Sequence, residues 1–312
     1  MTSPNWQPYL NAIARHYKQW WTLYTLTDTL HRDREKQRPL ASLFDFGLMV
    51  EARKQEAVDG EPGETKEKIE RLPVLEGVRK YAAEHVLLRG RPGSGKSTAL
   101  ARLMLEGAEG KIPVLVELRF WQRSVGDGLP AQSAYRILAS LHKHDPTLNL
   151  DEANLKTLLH QGCFLLLMDG VIELPSEAAR RDVACFRQDF PQTPMIFTTR
   201  ELSVGGDLGI EKKLEMQPLT EPQMRDFVKA YLPDQADQLL RQLKDRLREF
   251  GQTPLLLWML CELFQQTGTI PPNLGMVFRQ FTQGYERNVK HDAPVSAESR
   301  RWCRRCCNGW RL

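Results

Sequence analysis

Short apolar runs recur through the middle of the chain, separated by stretches of helical periodicity. His85-Val86-Leu87-Leu88 predicts a buried strand, and residues 98–106, apolar at Leu100, Leu103 and Met104, predict a helix. Residues 112–118 predict a second strand, followed by helices near 131–143 and 151–160. Phe164-Leu165-Leu166-Leu167-Met168 is apolar throughout, as expected of a strand covered on both faces. A helix over 176–189, with Ser176 as its candidate N-cap, a strand over 195–199 and a shorter one over 214–219 complete the series. Strands alternating with helices predict an α/β fold built on a parallel, doubly wound sheet. Beyond Pro218 only helical patterns follow, over 221–231, 234–250, 254–266 and 276–289, which predict a small helical domain.

The flanks read differently. Trp6, Tyr9, Leu10, Ile13, Tyr17, Trp20, Trp21, Tyr24 and Leu26 predict one or two amphipathic N-terminal helices, with the aromatic stripe as core. Residues 51–71 are rich in Glu, Lys and Arg around Asp59-Gly60-Glu61-Pro62-Gly63, and read as a solvated loop or linker. A helix interrupted at Pro73 is expected over 64–83. The plan is an N-terminal helical region over 1–60, a sheet domain over 61–218, a small helical domain over 219–290 and a tail over 291–312. That tail is basic, lacks apolar periodicity and reads as disordered or truncated.

Composition narrows the class. Of 312 residues, 41% are apolar and 26% charged, an ordinary balance for a globular protein with a buried core. The net charge of +4 is too small to argue for a nucleic-acid or membrane partner, and neither is expected. The cysteines at 163, 185, 261, 303, 306 and 307 form no disulfide framework. Cys303 and Cys306 have a zinc-like spacing but no second Cys/His pair near them. The first thirty or so residues lack a signal-peptide core, and no apolar run is long enough to cross a bilayer. A reducing, cytoplasmic setting is expected.

The chemistry gathers at predicted strand ends. Gly90-Arg91-Pro92-Gly93-Ser94-Gly95-Lys96-Ser97, followed by Thr98, fits the phosphate-loop pattern between a strand and a helix. Its glycines let backbone N–H groups turn toward phosphate oxygens at a helix N-terminus. Lys96 is expected on the β- and γ-phosphates of a nucleotide and Ser97 on Mg²⁺. Asp169 closes the third strand as a Walker B acid, holding the same metal opposite Ser97. Glu173 is the candidate general base, and Arg200, ending the fourth strand, the candidate reader of the γ-phosphate.

Together, residues 90–97, 165–174, Phe197-Thr198-Thr199-Arg200 and Thr253-Pro254-Leu255-Leu256-Leu257 resemble NACHT domains, a branch of the STAND ATPases related to the AAA+ fold. The resemblance covers roughly residues 70–290. It implies a P-loop NTPase switch that holds ADP when closed, takes up ATP and then associates with itself or a protein partner. It also implies that Pro254 packs near the base, that ATP is preferred to GTP, and that Glu173 is the family's acidic residue after Asp-Gly. The residue before it is usually acidic or Asn, and Ile172 here implies slow hydrolysis. Asn-Lys-x-Asp, the guanine motif, is missing from the sequence. The alternatives are a constitutive AAA-like ATPase acting on protein or nucleic acid, and a truncated, non-catalytic remnant.

Overall fold

A computed structural model describes residues 4–17, 48–57, 65–83, 85–106, 110–121, 132–200, 208–251 and 253–289. The aromatic residues from Trp20 to Leu26 and the tail beyond 290, with its three cysteines, lie outside the described residues. The chain divides into two units, which meet in sequence between Pro218 and Leu219.

The first unit is α/β. Its described strands are β1 (Met49–Ala57), β2 (Thr65–Pro73), β3 (His85–Gly90), β4 (Ile112–Glu117), β5 (Phe164–Asp169), β6 (Met195–Arg200) and β7 (Lys212–Met216). They form one seven-stranded sheet in the order β2-β1-β7-β3-β6-β5-β4. From β7 to β4 the neighbours run parallel. Phe164 to Met168 and Met195 to Phe197 are all buried, which is why β5 and β6 read as unbroken apolar runs.

The expectation of a wholly parallel sheet is corrected at one end. β1 runs antiparallel to both β7 and β2, so the sheet is mixed. The reading of 51–71 as a solvated loop or linker is corrected too, and the N-terminal helical region expected over 1–60 contains β1 near its end. This stretch supplies a charged hairpin in which Glu51 lies opposite Arg71, whose Nε donates to its Oε1 at 2.7 Å. Val50 and Ala52 are fully buried, but two apolar positions give too short an alternation to stand out beside the charges. The helix expected over 64–83 is likewise β2 followed by a shorter helix, α2 (Val74–Tyr81).

The other described helices of this unit are α1 (Gln7–Tyr17), α3 (Lys96–Glu106), α4 (Gln132–His144), α5 (Glu152–His160) and α6 (Glu177–Asp189). Asp151 caps α5 and Ser176 caps α6, each accepting a backbone N–H three residues on. α1 packs onto this unit. Tyr9, Ile13 and Tyr17 share one buried face, the Tyr9 hydroxyl donates to Pro113 O at 2.7 Å, and Trp6 meets Phe164 edge-on.

The second unit is helical: α7 (Glu221–Tyr231), α8 (Ala236–Leu243), α9 (Leu247–Phe250), α10 (Pro254–Thr267) and α11 (Leu274–Val289). A Thr220/Gln223 capping box starts α7, and Thr253 caps α10 with Pro254 in its first turn. The single helix expected over 234–250 is broken at Lys244, whose φ of 45° takes the chain out of the right-handed helical region. Tyr231 donates to Glu262 and accepts the Trp258 indole N–H at 2.8 Å, a buried network inside the unit.

Candidate functional site

The site is assembled at the carboxyl ends of three strands. β6 lies between β3 and β5, and the register sets Gly90 beside Arg200. Asp169, ending β5, stands beside Glu117 at the end of β4. One edge of the sheet therefore carries the start of the glycine loop, Arg200 and Asp169, where ligands of parallel α/β sheets bind.

Between β3 and α3 the chain curls tightly. Gly93 and Gly95 have φ of 76° and 97°, values that side-chain-bearing residues avoid. The Ser94 N–H donates to Arg91 O at 3.2 Å, and α3 starts as Ala99 N–H donates to Gly95 O at 2.8 Å. Lys96 turns its ammonium into the curl, donating to Gly90 O at 2.7 Å and Arg91 O at 2.9 Å. Leu48 and Met216, both buried, lie against Gly95.

From α3, the Ser97 hydroxyl donates to Asp169 Oδ1 at 3.3 Å, although 72 residues separate the two. A hydroxyl and a carboxylate are hard oxygen donors that suit Mg²⁺, which typically takes one or two carboxylates and completes its shell with water and substrate phosphates. Among the described residues no group of three or more His, Cys, Asp or Glu could hold a metal.

A left-handed Gly170, φ 86°, turns the chain after Asp169 into a short 3-10 segment over Val171–Glu173. That turn places Glu173 Oε1 3.5 Å from Arg200 Nη2, both side chains being about half exposed. Ile172, the residue before Glu173, is exposed as well. Thus Asp169 and Ser97 are in contact, and Glu173, in the turn after β5, forms a second pair with Arg200 at the end of β6. Pro254 belongs to the other unit, buried in the first turn of α10.

A further contact to Asp169 is not singled out in the sequence. Thr198, 2% exposed, donates its hydroxyl to Asp169 Oδ1 and accepts the Gly170 N–H at 2.9 Å. In sequence it stands inside the Phe197-Thr198-Thr199-Arg200 stretch, where only Arg200 is given a role. Only the pairing of β6 with β5 brings it to the carboxylate.

Residues 84–235 match the NACHT domain profile, a span running from β3 through the glycine loop, Asp169 and Arg200 to α7. This chain carries a NACHT domain. The match supports a nucleotide-binding P-loop NTPase. Solved structures similar to the NACHT-domain chain include the RuvB Holliday junction branch migration motor of Thermotoga maritima, at 15% identity and a TM-score of 0.38, over 66% of this chain and 64% of that one. Others are Cdc6p of Pyrobaculum aerophilum, at 14% and 0.39 over 74% and 72%, and a STAND protein with a tetratricopeptide repeat sensor from Pyrococcus horikoshii. The last has 14% identity and a TM-score of 0.42, over 73% of this chain and 33% of that one. This chain thus spans less than two thirds of the RuvB motor's length. No curated protein matches the sequence. No described helix is long and apolar enough to cross a membrane.

Proposed function

We propose that this chain is an ATP/ADP-dependent molecular switch of the STAND type, binding ATP with Mg²⁺ and hydrolysing it slowly to control a signalling or defence assembly. The observation that carries the reading is the meeting of Ser97 and Asp169 at the mouth of a curled glycine loop. In this reading the loop from Gly90 to Thr98 wraps the phosphates. Lys96 leaves its two carbonyl partners for the β- and γ-phosphates, an exchange of neutral acceptors for charged ones that favours the bound state. Ser97 and Asp169 hold the metal, which offsets phosphate charge when bound.

Glu173 is the base that takes the proton of the attacking water. Its contact with Arg200 supports slow turnover, because the guanidinium occupies the carboxylate oxygen that a water would have to reach. A γ-phosphate competes for the same guanidinium, so Arg200 releases Glu173 as it takes up the phosphate. The occupant of the γ-position is thereby linked to the state of the base. Self-association or docking of a protein partner follows in the ATP state, in a cytoplasmic setting.

The test is the nucleotide carried through purification, released by denaturing the protein and identified. Bound ADP supports the switch. An empty site that takes up neither ADP nor ATP, or bound GDP, overturns it.

A further inference from the structure

We propose that Thr198 is a positioning residue whose hydroxyl aims the Asp169 carboxylate at Ser97, and so sets how strongly Mg²⁺ strengthens nucleotide binding. The proposal rests on the nucleotide site described above and extends it to a residue given no role of its own in the Phe197-Thr198-Thr199-Arg200 stretch.

The geometry fixes the direction of each bond. Thr198 has one hydroxyl proton, and its oxygen already accepts the Gly170 N–H at 2.9 Å. The proton therefore goes to Asp169 Oδ1. That oxygen receives two hydroxyl donors, Thr198 from β6 and Ser97 from α3. They are not equivalent. Ser97 is the donor that would turn to a metal, whereas Thr198 is buried within the sheet at 2% exposure. The terminal torsion of an aspartate is soft, so a donor held by a rigid strand is what keeps its carboxylate plane in one orientation. The same hydroxyl also fastens Gly170, the first residue of the turn that delivers Glu173. A single buried group thus ties the end of β5 to β6, the strand that sits between the loop strand β3 and the acid strand β5.

A merely structural threonine would affect binding with and without metal alike. A residue that acts through Asp169 affects only the metal-dependent part. The experiment is calorimetric titration of the full chain with ATP, once in Mg²⁺ and once in EDTA. Thr198→Val keeps the shape and removes the hydroxyl. It should leave the affinity in EDTA unchanged and cut the Mg²⁺ enhancement by about tenfold, the size of one lost hydrogen bond to a charged group. Thr198→Ser, which keeps the hydroxyl, should stay within about twofold of wild type. In an Asp169→Asn background Thr198→Val should have no further effect on metal dependence, because its target carboxylate is gone.

Wild-type metal dependence in Thr198→Val, or equal loss in Mg²⁺ and EDTA, would overturn the role of Thr198 while leaving the nucleotide site intact. Should Thr198→Val not fold, Thr198→Ser decides: a tenfold loss of Mg²⁺ enhancement with the hydroxyl retained would equally overturn it. A wild-type chain that binds no ATP in either buffer would instead remove the nucleotide site itself, and this proposal with it.

Discussion

Arg200 Nη2 lies 3.5 Å from Glu173 Oε1, joining the end of β6 to the turn that follows β5. Exposed ion pairs of this kind contribute at most about 1 kcal/mol, so the clasp is easily exchanged for a phosphate. Replacing Glu173 by Gln should leave ATP affinity within about twofold and slow hydrolysis by about a hundredfold or more, the usual contribution of a general base. Arg200→Ala should weaken ATP about tenfold while sparing ADP, since only ATP presents a γ-phosphate. Single-turnover hydrolysis and calorimetric titration with each nucleotide check the pair. Unchanged hydrolysis in the Gln variant would mean that the base lies elsewhere.

Lys96 carries the next prediction. Its ammonium already sits within the loop on the carbonyls of Gly90 and Arg91. Lys96→Ala should weaken both ATP and ADP by about a hundredfold, near 3 kcal/mol, because charge-assisted phosphate bonds are lost from either nucleotide. The fold should survive, since the side chain is not part of the buried core. Equilibrium titration with each nucleotide and a thermal melt separate the two effects. Wild-type affinity in this variant would discard the nucleotide site.

Acid should loosen the contact between α1 and α4. Burial, then the neighbouring His16 and Lys143, push the His144 imidazole down to about 4. Its ring stands 6.1 Å from Tyr9 and 5.8 Å from Tyr17 of α1. The folded pKa is below the unfolded value of 6.5, so the unfolded chain binds a proton that the folded chain refuses. Stability therefore falls as pH drops from about 6.5 toward 4 and levels off below that window. After discounting for the ring's partial exposure, about 1 kcal/mol is at stake. Denaturant midpoints at pH 7.5 and 5, for wild type and His144→Gln, should show a smaller acid loss in the variant. Equal losses would mean that other groups titrate.

The second unit has its own polar core. Tyr231→Phe removes the hydroxyl that serves both Glu262 and the Trp258 indole, leaving buried polar groups with fewer partners. A loss of about 2–3 kcal/mol is expected. Chemical denaturation read from tryptophan fluorescence measures it, and a change below about 0.5 kcal/mol would show that the network contributes little.

Much of this was legible before any coordinates. β5 could be read because five apolar residues in a row have few alternatives, and Ser176 could be read as a cap because its neighbours begin a helical repeat. Asp169 and Ser97 could be paired because each follows a recognisable strand or loop. The β1–β2 hairpin could not be read. Its register is fixed by long-range pairing with β7, and its Lys and Glu residues look like those of a solvated segment. The break at Lys244 was hidden because apolar spacing continues through it at Leu243 and Leu247, both buried. Thr198 was hidden because the importance of its hydroxyl depends on which strand lies beside it.

β4 and β2 are the outer strands of the described sheet. Along β4 the Ile112 N–H is given to Cys163 O, so Pro113, next in line, faces away from β5. Proline offers no donor there, and its carbonyl is taken by Tyr9. The opposite rim, β2, alternates Lys66, Glu67, Lys68, Glu70 and Arg71 and ends in Pro73. Such strands resist annealing to a foreign strand. Among the described residues, then, neither outer strand of the sheet invites a foreign strand to extend it.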